Sequence, residues 1–293
     1  MKKSLGSKML PYLFILPTLV LMVIFSYYAI INAIYTSFTD SVYGTTSAFV
    51  GLENYARAFQ DKIFLTSFIN QLLLTAAAVF NSVFFPLLAS ELLFFVKHSK
   101  LANIIKTLFV VPMMVPTIIT IFIWKYLYNP NFGINTILRR MGLKSLAHNW
   151  LNDETTALLC IILIGFPFIS CMYFLIMHNG LNMISGELYE AALVDGATPM
   201  QVVRFIHVPN LKPYINTIVT LSLINSLSGF GLVAATTNGS PGYSTMIPAL
   251  YMYKIAFGDG KFGYASACGC VLFIVIIILT LASRKFFGNK EGA

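Results

Sequence analysis

The fold class this sequence predicts is an all-α polytopic membrane protein: six transmembrane helices with a cytoplasmic helix-turn-helix between helices 4 and 5. Three observations carry that expectation. Mean hydropathy is +0.78, and of the 293 residues 57% are hydrophobic and 10% charged, against roughly 25% charged in an ordinary soluble domain. Six apolar runs approach or exceed the ~20 residues a helix needs to cross a bilayer. Between the fourth and fifth runs, charges, glycine and proline crowd into one stretch, YEAALVDGATPMQVVRFIHVPNLKP, Tyr189 to Pro213.

The runs are Pro11 to Phe38, Phe64 to Val96, Asn103 to Leu127, Thr155 to Met177, Tyr214 to Ala235 and Phe262 to Phe287. Their continuity predicts helices, since barrel strands would alternate over ~10 residues. The first follows MKKSLGSKML. It is longer than the ~7–15-residue apolar stretch of a secretion signal and no small-x-small cleavage site follows, so it reads as a span behind an N-terminal segment at 1–10. The second holds Asn70, Gln71, Asn81 and Ser82, with Glu91 near its inner end, where snorkelling to the interface is expected. The last carries Ala265-Ser266-Ala267-Cys268-Gly269, which suits close helix packing, and a short tail at 288–293 ends the chain. Cys160, Cys171, Cys268 and Cys270 all fall inside spans, and the last two, two residues apart, point to different sides of a helix. They suggest neither a disulfide framework nor a metal site.

With the N-terminus inside, eleven of the 19 Lys and Arg fall on the inner side, and the first span has three lysines before it and none just beyond. Both termini and the polar stretch are therefore expected in the cytoplasm. Basic flanks facing anionic lipid account for the net charge of +8 without nucleic acid. No HExxH or GxSxG occurs and the spans hold almost no ionisable residues, which argues against an intramembrane enzyme. No GxxxxGK[ST] occurs either, so the chain has no P-loop to cradle ATP phosphates. An ion-coupled secondary transporter of a small polar solute is the alternative. It usually needs intramembrane carboxylates or inverted repeats, and neither is apparent.

Within the polar stretch, about 185–210, Leu188 to Asp195 are helix formers and Gly196 sits where a left-handed C-terminal cap belongs. Thr198-Pro199-Met200-Gln201 reads as a capping box with proline in the first turn, opening a second helix that should stop before Pro209. Three readings compete. An interfacial amphipathic pair is the plainest. DNA binding is disfavoured, because the second helix offers only Arg204 and His207 as basic groups and is tied to a bilayer at both ends. A docking knob is the third, with small Ala191 and Ala192 allowing close approach and Glu187, Glu190, Asp195 and Arg204 at its rim.

Glu190-Ala191-Ala192, three residues, Gly196, nine residues, Ile206, one residue, Val208-Pro209 resembles the EAA loop, EAA-x3-G-x9-I-x-L-P, of membrane subunits of binding-protein-dependent ABC importers, with Val in place of Leu at 208. FVGLENYARAF (Phe49 to Phe59), NPNFGINTIL (Asn129 to Leu138) and FGYASA (Phe262 to Ala267) are similar to the carbohydrate-uptake branch of maltose, glycerol-phosphate and multiple-sugar type. The first of these suggests the first of the two permease types in such importers. The family's TGGP-like turn corresponds to Thr237-Asn238-Gly239-Ser240-Pro241, with an inserted Asn and Ser for a Gly.

The resemblance implies a six-helix domain at 11–287 with a coupling loop. It further implies a second permease as heterodimer partner, two cytoplasmic ATPases that carry the ATP and Mg, and an extracytoplasmic solute-binding protein. A sugar or oligosaccharide would be the solute, in a bacterial or archaeal cell membrane. No cofactor is expected on this chain. Coupling would fall to Glu190, Ala191, Ala192, Asp195, Gly196, Arg204, Ile206 and Pro209. In the fifth span Ser222, Asn225, Ser226 and Gly229 share one helix face at i, i+3, i+4, i+7 with Phe230 adjacent. The face coincides with the segment by which maltose-type permeases contact sugar, although Ser226, Ser228 and Gly229 stand where that type is Asn-rich. Asn81, Asn70, Gln71 and Ser82 are further path candidates, or glue between helices.

Overall fold

The computed structural model describes residues 5–42, 47–96 and 98–287; Lys2, Lys3, Lys97 and the tail expected at 288–293 lie outside them. Among the described residues the regular structure is helical, apart from isolated bridges pairing Thr39 with Phe49 and Val42 with Lys261.

Three expected spans are unbroken and long and apolar enough to cross a membrane: Tyr12–Ser37, Lys62–Phe94 and Phe262–Lys285. The first contains a π turn, Val23–Tyr27, closed by the Tyr28 N–H on the Val23 carbonyl. Every side chain from Tyr12 to Tyr35 is exposed, and an apolar surface all round is suited to lipid or another apolar chain rather than water.

The other three expected spans are interrupted, which corrects the expectation of six continuous helices. The third is Ser99–Val110, a 3-10 turn Val111–Met114 and Thr117–Leu127, with its two arms bent by 91°. Pro112 and Pro116 lack the N–H a helix needs there, and Pro116 holds Val115 extended, with ψ 120°. The fourth is Ala157–Leu163 and Cys171–Asn182, separated around Pro167 by Gly165 and Phe168 at φ 93° and 61°. The fifth, Lys212–Ser228, stops at extended Gly229 and resumes as Gly231–Thr236. Hydropathy averages over such breaks, because the residues at them are themselves apolar.

The chain divides into two compact units. In Met1–Leu65 with Tyr251–Phe273, buried Asn54 of the Glu53–Gln60 helix donates from its carboxamide to the Ser37 and Thr39 carbonyls, at 3.0 and 2.8 Å. That bond ties the end of the first span to the FVGLENYARAF stretch. Asp61 opens the Lys62–Phe94 helix: its Oδ1 accepts from the Ile63 and Phe64 N–H groups, at 2.9 and 3.2 Å. Its Oδ2 accepts from the Tyr251 hydroxyl and, at 2.8 Å, from the Tyr264 hydroxyl. Arg57 lies over the Tyr264 ring, 4.5 Å from its centroid. The small-residue run packs closely, with Ala265, Ala267 and Cys268 buried and a Cβ on Gly269 falling 3.5 Å from the Met252 sulfur.

In Thr66–Leu250 with Ile274–Ala293, Tyr173, Met177, Leu181, Leu211 and Ile218 form a core against Val83, Leu87 and Phe94. A second cluster joins Ala89, Leu93 and Phe174. Gly180 is required between them, since a Cβ there would stand 2.7 Å from the Tyr214 ring. The NPNFGINTIL stretch is pinned by Asn135, whose carboxamide donates to the Asn129 and His148 carbonyls and accepts from the Trp150 indole, at 3.1, 2.7 and 2.8 Å. The described cysteines are free thiols.

Burial raises the Asp61 pKa, but the bonds from Tyr251, Tyr264, Phe64 and Ile63 together outweigh it and hold the carboxyl below its usual range. Such a depressed carboxylate stabilises the fold above its unfolded pKa of ~3.9 and loses that contribution as pH falls through the folded value. Asp61→Ala is therefore expected to cost about 1–2 kcal/mol at neutral pH. In thermal melts of detergent-solubilised protein, the gap to the parent should hold down to about pH 4 and close in stronger acid.

Candidate functional site

Two sites carry the polar residues that a mostly apolar chain would otherwise exclude. The first is the helix pair at 185–210. Ser185 caps the Gly186–Val194 helix by accepting from the Glu187 N–H. At its other end the Ala197 and Gly196 N–H groups return to the Ala192 and Leu193 carbonyls, at 2.9 and 3.1 Å, with Gly196 at φ 76°. This is a Schellman cap, the arrangement that favours glycine at 196. Thr198 and Gln201 form the expected capping box, both bonds present, over Pro199–Val202.

The second helix then departs from expectation and runs through Pro209. A π turn, Val203–His207, is closed by the Val208 N–H on the Val203 carbonyl, and Pro209 falls in the first turn of Val208–Asn210. Proline's missing N–H is harmless at that place. The Asn210 carboxamide donates to the Ile206 carbonyl at 2.7 Å.

Glu190, Ala191, Asp195, Gly196, Arg204 and Pro209 are exposed, and Ala192 and Ile206 half-buried. Beside them stand apolar side chains that a soluble surface seldom shows: Val194 is 88% exposed, Met200 74% and Phe205 66%. The Arg204 guanidinium lies 5.5 Å from the Phe205 ring centroid. Exposed Met and Phe beside an Arg are residue types enriched at protein interfaces.

The pair is anchored by a contact the sequence did not reveal. Glu91 does not snorkel: it is buried, and its Oε2 lies 2.8 Å from the Nδ1 of buried His207. Phe94, one turn on, stacks edge-on with both His207 and Tyr189, ring centroids 4.6 and 5.4 Å apart. One segment of the Lys62–Phe94 helix thus grips both helices of the pair. The two partners lie 116 residues apart, so no local pattern could have announced them.

The second site is a cavity of about 530 Å³ walled by the Lys62–Phe94 and Lys212–Ser228 helices and by the breaks of the fourth and fifth spans, at Gly165–Ser170 and Gly229. Gln71, Asn81, Ser82, Ser170, Tyr173, Ser222, Asn225 and Ser226 supply its polar lining, Gly229 lies at its rim, and no charged residue lines it. The structure thus brings together Asn81, Ser222, Asn225, Ser226 and Gly229. Ser228 and Phe230 are not among its walls: the exposed Ser228 hydroxyl donates back to the Ile224 carbonyl at 2.6 Å. The aromatic residues lining it are Phe168, at the turn with φ 61°, and Tyr173 of the Cys171–Asn182 helix; a sequence does not display that turn.

Some polar groups here serve the backbone. The Asn70 carboxamide donates to the Tyr243 and Met246 carbonyls, at 3.3 and 2.9 Å. That of Gln71 donates to the Thr75 hydroxyl and the Ser226 carbonyl, both at 3.0 Å. Ser82 and Ser222 share a hydrogen bond, as do Thr75 and Ser226. Among the described residues the buried Gln71 Oε1 has no partner, and the Asn81 and Asn225 side chains, which line the cavity and are not buried, make no hydrogen bond.

A family model described as the inner membrane component of binding-protein-dependent transport systems matches residues 82–290. A probable ABC transporter permease of Pyrococcus horikoshii is 35% identical over 277 residues, covering 93% of this chain and 94% of that one. An arabinooligosaccharides transport system permease of Bacillus subtilis is 32% identical over 296 residues, covering 98% of this chain and 91% of that one. Among solved structures, a chain of a bacterial alginate ABC transporter, crystallised with its alginate pentasaccharide-bound periplasmic protein, superposes with a TM-score of 0.85 at 21% identity. It covers 99% of this chain and 100% of that one.

The caps make a local prediction. Thr198→Ala should remove about 1 kcal/mol from the second helix and raise amide exchange across 199–202 roughly five-fold. No atom lies within 4 Å of a Cβ built on Gly196. Gly196→Ala should therefore cost only the left-handed backbone strain, about 1 kcal/mol, with the same exchange signature across 192–197.

Proposed function

The chain belongs to the family of inner membrane components of binding-protein-dependent transport systems, and from that premise we propose that it forms half of the translocation path of an ATP-driven importer for a neutral sugar or oligosaccharide. The observation that carries the reading is the helix pair, two capped helices that expose Val194, Met200 and Phe205 between Glu190, Asp195 and Arg204. A separate ATP-hydrolysing subunit, holding ATP and Mg, would bury that apolar centre. Its closure with a twin around nucleotide would then push on the pair. Both termini and the pair lie on the ATPase side in this reading, and the three interrupted helices cross the bilayer together with the three unbroken ones.

The cavity supports the substrate class. A sugar offers hydroxyls and flat apolar faces without charge, and the lining answers with carboxamides, hydroxyls and the Phe168 and Tyr173 rings. Asn81 and Asn225 would trade hydrogen bonds with the solute, and irregular backbone at the two breaks is tolerated where it lines a cavity. A second permease would close the path, and an extracytoplasmic binding protein would deliver the solute, as the periplasmic protein accompanies the alginate transporter. The Bacillus subtilis relative, named for arabinooligosaccharides, makes these the first solutes to test.

In membrane vesicles holding the complete transporter, uptake of labelled arabino-oligosaccharide should require internal ATP and persist when an uncoupler collapses the proton gradient. Loss of uptake with the gradient would overturn the reading. Glu190→Lys and Gly196→Pro should leave the chain in the membrane while uptake falls. About 2 kcal/mol lost at a docking contact is roughly thirty-fold in affinity. Normal uptake by both variants would refute the assignment of the helix pair.

A further inference from the structure

We propose that Glu91 and His207 are positioning residues that pass movement of the helix pair to the cavity wall, an inference that rests on the coupling role given above to the pair. The Lys62–Phe94 helix carries at one end Glu91, bonded to His207 of the pair, and about two and a half to five and a half turns away Ser82, Asn81, Ala78, Ala77, Leu74 and Gln71 of the cavity lining. The helix rises about 1.5 Å per residue and continues through Pro86, which lies between Glu91 and Ser82, so a shift imposed on Glu91 is passed along one element toward Asn81 and Gln71.

The bond itself is built to hold. With Glu91 as a carboxylate, which only accepts, the His207 Nδ1 is the donor of this bond. Both groups are more than nine-tenths buried, and Phe94 and Phe95 pack against the imidazole, so no water competes for the bond. Among the described residues Glu91 Oε1 has no hydrogen-bond partner, and His207 is the group that holds this carboxyl in place. Apolar packing alone slides under load, whereas a buried directional bond keeps its register.

The test uses the whole transporter in nanodiscs, with Ala78→Cys placed in the cavity wall and its maleimide labelling read by mass spectrometry without nucleotide and with ATP and vanadate. In the parent, labelling should change roughly ten-fold between the two states, the scale of a coupling energy within one protein. With Glu91→Leu the change should fall below about two-fold while ATP is still hydrolysed, whereas Glu91→Gln, which keeps an acceptor for the His207 N–H, should retain it. If Glu91→Leu fails to accumulate, Glu91→Gln combined with His207→Phe strands no buried charge, keeps a ring against Phe94 and lacks the bond. It too should lose the change. A full labelling change in either bond-less variant overturns the proposal while leaving the coupling role intact. No change in the parent overturns the coupling role, and the proposal with it.

Discussion

A bilayer offers no water to a backbone group that loses its partner, so a chain of this composition must satisfy every N–H and C=O from within. The arrangement around the cavity follows from that constraint. Where the Lys212–Ser228 helix ends at Gly229, Gln71 from the Lys62–Phe94 helix donates to the Ser226 carbonyl of its last turn. Asn70 does the same for the carbonyls of Tyr243 and Met246. The Tyr128 hydroxyl serves the Cys160 carbonyl and the Lys125 ammonium that of Ala235, at 3.1 and 3.0 Å. Each polar side chain spent in this way permits a break, and the breaks at Gly165–Ser170 and Gly229 open the space that the cavity occupies.

How much of this was legible in the sequence depends on how far each interaction reaches along the chain. The helix pair was read almost residue by residue, because caps are local chemistry: Ser, Thr, Gln and Gly act on backbone within four positions. Its one misreading, a stop before Pro209, came from treating proline as a terminator when a wide turn had already placed it in a first turn. Hydropathy located all six apolar runs but missed the bend at Val115-Pro116 and the break at Pro167, since valine, phenylalanine and proline leave the average high.

Contacts across the chain stayed hidden. Asn54, inside FVGLENYARAF, and Asn135, inside NPNFGINTIL, were noticed as parts of familiar stretches, yet each proves to be a buried tether of loop carbonyls. Glu91 was expected to reach for the interface because an isolated acid in a span should do so. Its buried partner, His207, removes the need. The fifth-span face was sound as geometry, but adjacency in sequence misplaced its aromatic, which the turn at Phe168 supplies instead.

The π turn fixes the rotational phase of everything after it. A π bond encloses one residue more than an α bond, so Val202 and His207, five positions apart, are both buried, where an ideal α-helix would set them ~140° apart. The nine-residue interval between Gly196 and Ile206 is therefore a phase setting as well as a length. A chain one residue shorter there could form a regular α-helix with its imidazole four positions after Val202, about 40° away and still on the buried face. With the turn type unchanged, one residue gained or lost is about 100° of rotation at the far end, so length and turn type here are set together.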